Sequence, residues 1–142
     1  MIWQTTPSAE LVHAIAKGTM PVFLGFELTE VGDDFLSGRL PVDERTRQPY
    51  GILHGGASVV LAETLGSLAS HFCIDASRYI TVGLEVNGNH IRQVREGWIH
   101  GRATAIHIGR KTHVWDIRIT DDAGKLVHTG RLTTMVIEQE PK

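Results

Sequence analysis

Residues 50–73 read YGILHGGASVVLAETLGSLASHFC, a Gly-rich turn running into a long segment whose one acid is Glu63. From Gly55 to Cys73 there is no proline, and Ala, Leu, Val and Ser dominate. The pattern predicts a helix of roughly 27 Å at 1.5 Å per residue. Ala57, Leu61, Thr64, Leu65, Leu68 and Phe72 share one face, and Ala62, Gly66, Ala69 and Cys73 form a second, low-bulk face. The remaining sector holds Glu63, Ser67 and Ser70 between Val59 and Val60, too little charge for a water-facing stripe. The helix is therefore expected to be buried on most sides. A buried carboxylate is costly unless paired, hydrogen-bonded or neutralised, so Glu63 either has a structural partner or serves chemistry.

The chain has 142 residues, 42% of them hydrophobic and 21% charged, with a formal net charge of -2, which fits a single domain over 1–142 with one core. The balanced charge gives no reason to expect a nucleic-acid or membrane-surface partner. Cys73 is the one cysteine, which excludes an intrachain disulfide and points to a reducing cytoplasm. The start MIWQTTPSAE has no basic region followed by an apolar one, and no apolar run approaches the roughly 20 residues of a membrane span. The histidines form no HExxH and there is no Cys-rich spacing, so no metal site is expected.

In chain order, AELVHAIAKG at 9–18 predicts a short amphipathic helix stopped by Gly18, and 19–24 is either one more helical turn or a connector. Alternation around Gly32, Asp33 and Asp34 predicts a hairpin with strands near 26–31 and 35–41. Pro49 biases Gln48 to extended or turn backbone just ahead of the central helix, which places its amide near the helix entrance. Beyond the helix, 79–91, 97–108, 110–120 and 125–137 read as long strands joined by short turns, hence antiparallel neighbours. Imperfect alternation in HVWDIRIT, 113–120, predicts a twist or bulge there. The order describes an α+β domain in which one curved antiparallel sheet wraps one long helix. Apolar surface left uncovered makes a dimer the expected assembly.

With these elements placed, the chain resembles the hotdog-fold acyl-CoA thioesterases, in particular the bacterial subgroup of the enterobactin proofreading and 1,4-dihydroxy-2-naphthoyl-CoA thioesterases. The resemblance rests on MIW at the start, LPVDERTRQP at 40–49, LHGGAS at 53–58, LAE at 61–63, VGLE at 82–85, NGNHIR at 87–92 and HIGRK at 107–111. It runs nearly end to end. Relative to that subgroup the connector around Ile74 to Ile80 is slightly longer, and the tail QEPK extends past the last strand.

The resemblance implies hydrolysis of acyl- or aryl-CoA thioesters, with coenzyme A as part of the substrate and no separate cofactor; a thioester on a carrier protein is an alternative donor. It implies a homo-oligomer, a dimer or a dimer of dimers giving a homotetramer, with active sites at the interface. Glu63 would act as nucleophile or as general base for a water, with Ser67 orienting that water. The backbone N–H groups of His54 to Ala57 have no intrahelical partners, so a carbonyl docked on Gly55 would be polarised. By resemblance Gln48, His54 and His90 are further active-site residues, and Glu63 and Ser67 face Gln48, His54 and Gly55 across the dimer interface. Backbone amides of Val82 and Gly83 would lie beside the pantetheine, with Arg92, Gly109, Arg110 and Lys111 near the phosphates. The acyl or aryl end would rest near Leu68 and Phe23.

Each of these residues also has a bland reading. Glu63 could be a capped structural acid, His54 a packed turn histidine, Ser67 a small residue bonded to its own helix, and Arg110 and Lys111 ordinary turn residues. Two other functions stay open: a hotdog-type hydroxyacyl-thioester dehydratase, and a non-catalytic binder of acyl-CoA or aromatic ligands.

Overall fold

The computed structural model describes residues 1–140; Pro141 and Lys142, which end the QEPK tail, lie outside the described residues. Helix α1 spans Ala9–Ala16 and α2 is a single turn, Met20–Phe23, resolving the ambiguous 19–24 stretch in favour of helix. Ser8 caps α1, its hydroxyl accepting from the Leu11 N–H at 3.2 Å. Strands β1 (Glu27–Val31) and β2 (Phe35–Pro41) form the expected hairpin. The central helix α3 is Gly55–Phe72, followed by β3 (Tyr79–His90), β4 (Trp98–Ile108), β5 (Thr112–Thr120) and β6 (Leu126–Glu138).

All six strands join one antiparallel sheet in the order β1-β2-β4-β5-β6-β3. The crossover through α3 carries the chain from β2 to the opposite edge, so β3 is an edge strand. The helix lies against the sheet, with Leu61 and Leu65 packed over Gly101 of β4 and Gly66 against Leu132 of β6. Leu36, Leu40, Ile99, Ile117 and Ile119 complete this core, all at most 1% exposed.

The irregularity expected in 113–120 is present in the pairing of β5, whose register with β6 shifts between Ile119 and Thr120. His113, Trp115, Ile117 and Ile119 all point inward and the strand alternates regularly; a histidine occupying an inward position disguised the period. The extra residue of each bulge sits on the neighbouring strand, Ile106 of β4 and Val127 of β6. Ser70 is placed differently from its expected polar sector. It is fully buried, its Oγ accepting from Trp115 Nε1 at 2.7 Å and hydrogen-bonded to Thr134 Oγ1 at 2.8 Å. A buried indole N–H needs such an acceptor. Ser70→Ala strands it, so denaturant unfolding should show a loss of about 1–3 kcal/mol with an unchanged m-value. Unaltered stability would mean another acceptor reaches the indole.

Candidate active site

The loop before α3 is held by its own polar groups. Thr46 is 2% exposed; its hydroxyl donates to the Pro41 carbonyl at 2.8 Å, and its carbonyl accepts from the His54 N–H at 2.8 Å. The Arg47 guanidinium donates to the Arg95 carbonyl at 3.0 Å. Gly51 turns the chain at φ 77°, a region that favours glycine. Gln48 sits inside this turn, its Oε1 accepting from the Tyr50 N–H. That leaves the Gln48 NH2 without a partner among the described residues, beside the helix entrance as its sequence position predicted.

At the start of α3 the four N–H groups, expected to lack intrahelical partners, are not equivalent. His54 N–H is taken by Thr46, Gly56 N–H donates to His54 Nδ1 at 2.7 Å, and Ala57 N–H donates to the His54 carbonyl at 2.9 Å. Only Gly55 N–H lacks an acceptor among the described residues. His54 is thus the N-cap of the helix, and its Nδ1 carries a lone pair rather than a proton. Gly55 faces a cavity of about 410 Å³ shared with Gln48, Ser58, His90 and Arg92. A Cβ on Gly55 would lie 2.5 Å from His90 Nε2, so the absence of a side chain lets the imidazole approach the helix end.

Glu63 and Ser67 are elsewhere. The Ser67 hydroxyl donates to Glu63 Oε1 at 3.4 Å, a long bond between side chains one turn apart. The carboxylate rests on Gly83 of β3, where any Cβ would collide with Oε1, and a bulge at Leu84 follows directly. Gly83 therefore makes room for the acid. Within this chain Glu63 is half-buried, in a stripe with Val59, Val60, Ser67 and His71 on the helix sector that the sequence left without an apolar face. Ser67 also lines a separate cavity of about 300 Å³ with Ile15, Thr64, Leu68 and His71. Phe23 is 74% exposed and borders a different hollow, so it does not join Leu68 as expected; the one-turn α2 carries it outward.

From Gly55 to Glu63 the helix rises about 12 Å, so a carbonyl held at Gly55 does not reach the carboxylate of its own chain. The coenzyme-facing candidates divide similarly. Val82 is 38% exposed on the β3 edge, Gly109 and Arg110 border a hollow with Cys73 and His113, and Lys111 is exposed in the same turn. Arg92 lies two residues past His90, the far end of β3, which is itself about 26 Å from Val82 at 3.3 Å per residue. Burial pushes the Cys73 thiol up to about 12, so it stays neutral and is a poor nucleophile. His71 and His113 are both pushed below the ordinary histidine value by burial. Among the described residues, no helix is long and apolar enough to cross a membrane.

Sequence reasoning missed His128. It is fully buried on β6 and its Nδ1 lies 3.1 Å from His90 Nδ1. A polar residue in LVHTGRL gives no signal by itself; only the β3–β6 register, which opposes His90 to His128, identifies it.

A curved antiparallel sheet around one helix, with an unpaired N–H at the helix start and a carboxylate two turns on, is the hotdog architecture. A family model for the thioesterase superfamily matches residues 50–128. The 1,4-dihydroxy-2-naphthoyl-CoA hydrolase of Escherichia coli K12 is 44% identical over 137 residues, covering 96% of this chain and all (100%) of that protein. The proofreading thioesterase EntH of Cronobacter turicensis is 42% identical, with 96% and 99% covered. Among solved structures, a mutant of thioesterase PA1618 from Pseudomonas aeruginosa superposes with a TM-score of 0.95 at 49% identity, covering 98% of this chain and 100% of that one. Thioesterase HI1161 from Haemophilus influenzae gives 0.92 at 43% identity, with 97% and 96% covered. The chain belongs to the thioesterase superfamily and is a thioester hydrolase.

Proposed function

We propose that this protein hydrolyses acyl- or aryl-CoA thioesters in the cytoplasm, in sites completed by a second copy of the chain. The observation that carries the reading is the division of the site: an unpaired Gly55 N–H and the Gln48 amide on one side, the Glu63 carboxylate with Ser67 on another, too far apart to act within one chain. β3 is a 12-residue edge strand with Ile80, Val82 and Leu84 exposed at 42%, 38% and 53%. Such an edge pairs readily with another strand. A two-fold pairing of β3 edges lays the two helices side by side and brings Glu63 and Ser67 of one copy to Gln48, His54 and Gly55 of the other. A further pairing of dimers into a tetramer is compatible with this arrangement.

In that site the thioester carbonyl oxygen accepts from Gly55 N–H, at the positive end of α3, with the Gln48 NH2 and His90 alongside. Glu63 supplies the attack. Its oxygen adds to the carbonyl carbon and an anhydride forms, which water then opens, or it takes a proton from a water that adds instead. Either route breaks the carbon–sulfur bond, and the thiolate leaves and is protonated to the free thiol. Coenzyme A is part of the substrate. Val82 and Gly83 flank its pantetheine arm; Arg92, Gly109, Arg110 and Lys111 serve its phosphates from different copies. The 300 Å³ cavity beside Ser67 and Leu68 receives the acyl or aryl end. A carrier-protein thioester, which presents the same pantetheine arm, is a second donor for the same chemistry.

Thiol release from a panel of short-chain, long-chain and aromatic CoA thioesters tests the reading, with sedimentation giving the assembly. Release of free thiol at rates that saturate with substrate supports it. Tight binding with no thiol released points to a binder, and an enoyl absorbance from a β-hydroxyacyl thioester points to a dehydratase.

A further inference from the structure

The antiparallel register of β3 and β6 sets His90 directly opposite His128, with ring centroids 5.1 Å apart and planes tilted by 40°. The two Nδ1 atoms are 3.1 Å apart. Two lone pairs at that distance repel and two N–H groups collide, so one ring donates and the other accepts. His128 is 0% exposed, whereas His90 is exposed at the cavity. Burial and the neighbouring His90 both hold His128 below the ordinary histidine value, which keeps it neutral.

Which ring donates follows from the other nitrogen of His128. Its Nε2 is buried and has no hydrogen-bond partner among the described residues. It packs on Gly88, where a Cβ would collide with both Nε2 and Cε1, so the ring edge lies against the Gly88 methylene. An N–H there would be a buried donor aimed at hydrocarbon, which native interiors rarely leave. A bare lone pair meets the C–H as a weak acceptor instead. The proton of His128 therefore belongs on Nδ1.

We infer that His128 is a positioning residue: it donates from Nδ1–H to His90 Nδ1 and fixes His90 as the Nε2–H tautomer, presenting that N–H beside Gly55. The backbone supports this arrangement, because the Val127 carbonyl accepts from Ile91 N–H at 2.7 Å and anchors the end of β3 to β6 next to the pair. Gly55 N–H and His90 Nε2–H then form two donors at one cavity wall, and a lone pair on His90 would make the second an acceptor repelling a carbonyl oxygen. The catalytic consequence rests on the thioesterase site proposed above; the tautomer itself does not.

The test is the nitrogen spectrum of the parent protein labelled with 15N-histidine at neutral pH, with His90→Gln and His128→Asn used only to assign signals. The expected result is a protonated Nε2 and a bare Nδ1 for His90, with the reverse for His128. A His90 protonated at Nδ1 overturns the inference, and this readout needs no turnover. Kinetics add a second arm. The side-chain amide nitrogen of asparagine can take the place of imidazole Nδ1, so His128→Asn should keep kcat within about 3-fold of the parent, while His128→Leu lowers it at least about 10-fold with KM little changed. Equal kcat values for Asn and Leu would reduce His128 to a packing residue. A parent with no thioesterase activity would sink the functional reading while leaving the spectrum to decide the tautomer.

Discussion

Replacing Glu63 with glutamine is expected to slow thioester hydrolysis about 1,000-fold, within the ~10²–10⁴ range for a positioned acid or base, and to leave the fold intact. Glutamine keeps the shape that sits over Gly83 and can still accept from Ser67, but it can neither attack a carbonyl nor take a proton from water. No salt bridge ties Glu63 to another described residue and the side chain is only half-buried, so neutralising it disturbs little of the core. The measurement is thiol release from benzoyl-CoA by parent and variant, with circular dichroism confirming the fold. A variant as fast as the parent would remove Glu63 from the reaction and leave the split site without a chemical group.

The largest stability effect is expected at Gly130→Ala. Gly130 faces Gly88 across the β6–β3 ladder, and a Cβ there would collide with the Asn87 carbonyl oxygen and come within 2.8 Å of the Gly88 Cα. These are backbone atoms, so no rotamer change relieves the overlap, and β3 must move away from β6. We expect a loss of about 2–3 kcal/mol of stability, seen as a Tm lower by roughly 6–10 °C at matched protein concentration. Activity should fall as well, because β3 carries both Gly83 under the carboxylate and His90 over the helix start. An unchanged Tm would show that the two strands can open at this pair without cost to the sheet.

How far the sequence could be read differs from element to element. The central helix was legible because eighteen residues without proline and with almost no charge admit no other regular structure. The strands were legible from length and short turns, but β5 was not fully so, since His113 takes an inward place that the apolar period assigns to a hydrophobic residue. Glu63 drew notice as a lone acid, but what it rests on was not legible. A wheel shows that a helix has no polar stripe and cannot say that the uncovered sector looks across an open sheet edge.

By itself, then, the amino-acid pattern determined the element order, the α+β class and the residue types available for thioester chemistry, because these follow from local periodicity, turn chemistry and charge along one chain. Only the tertiary structure decided that, of the N–H groups of His54 to Ala57, Gly55's alone lacks an acceptor among the described residues, that Glu63 rests on Gly83 away from it, and that His128 stands behind His90. Those relations depend on strand register and on how the helix seats against the sheet. Register couples residues dozens of positions apart, and no local preference of either partner encodes it.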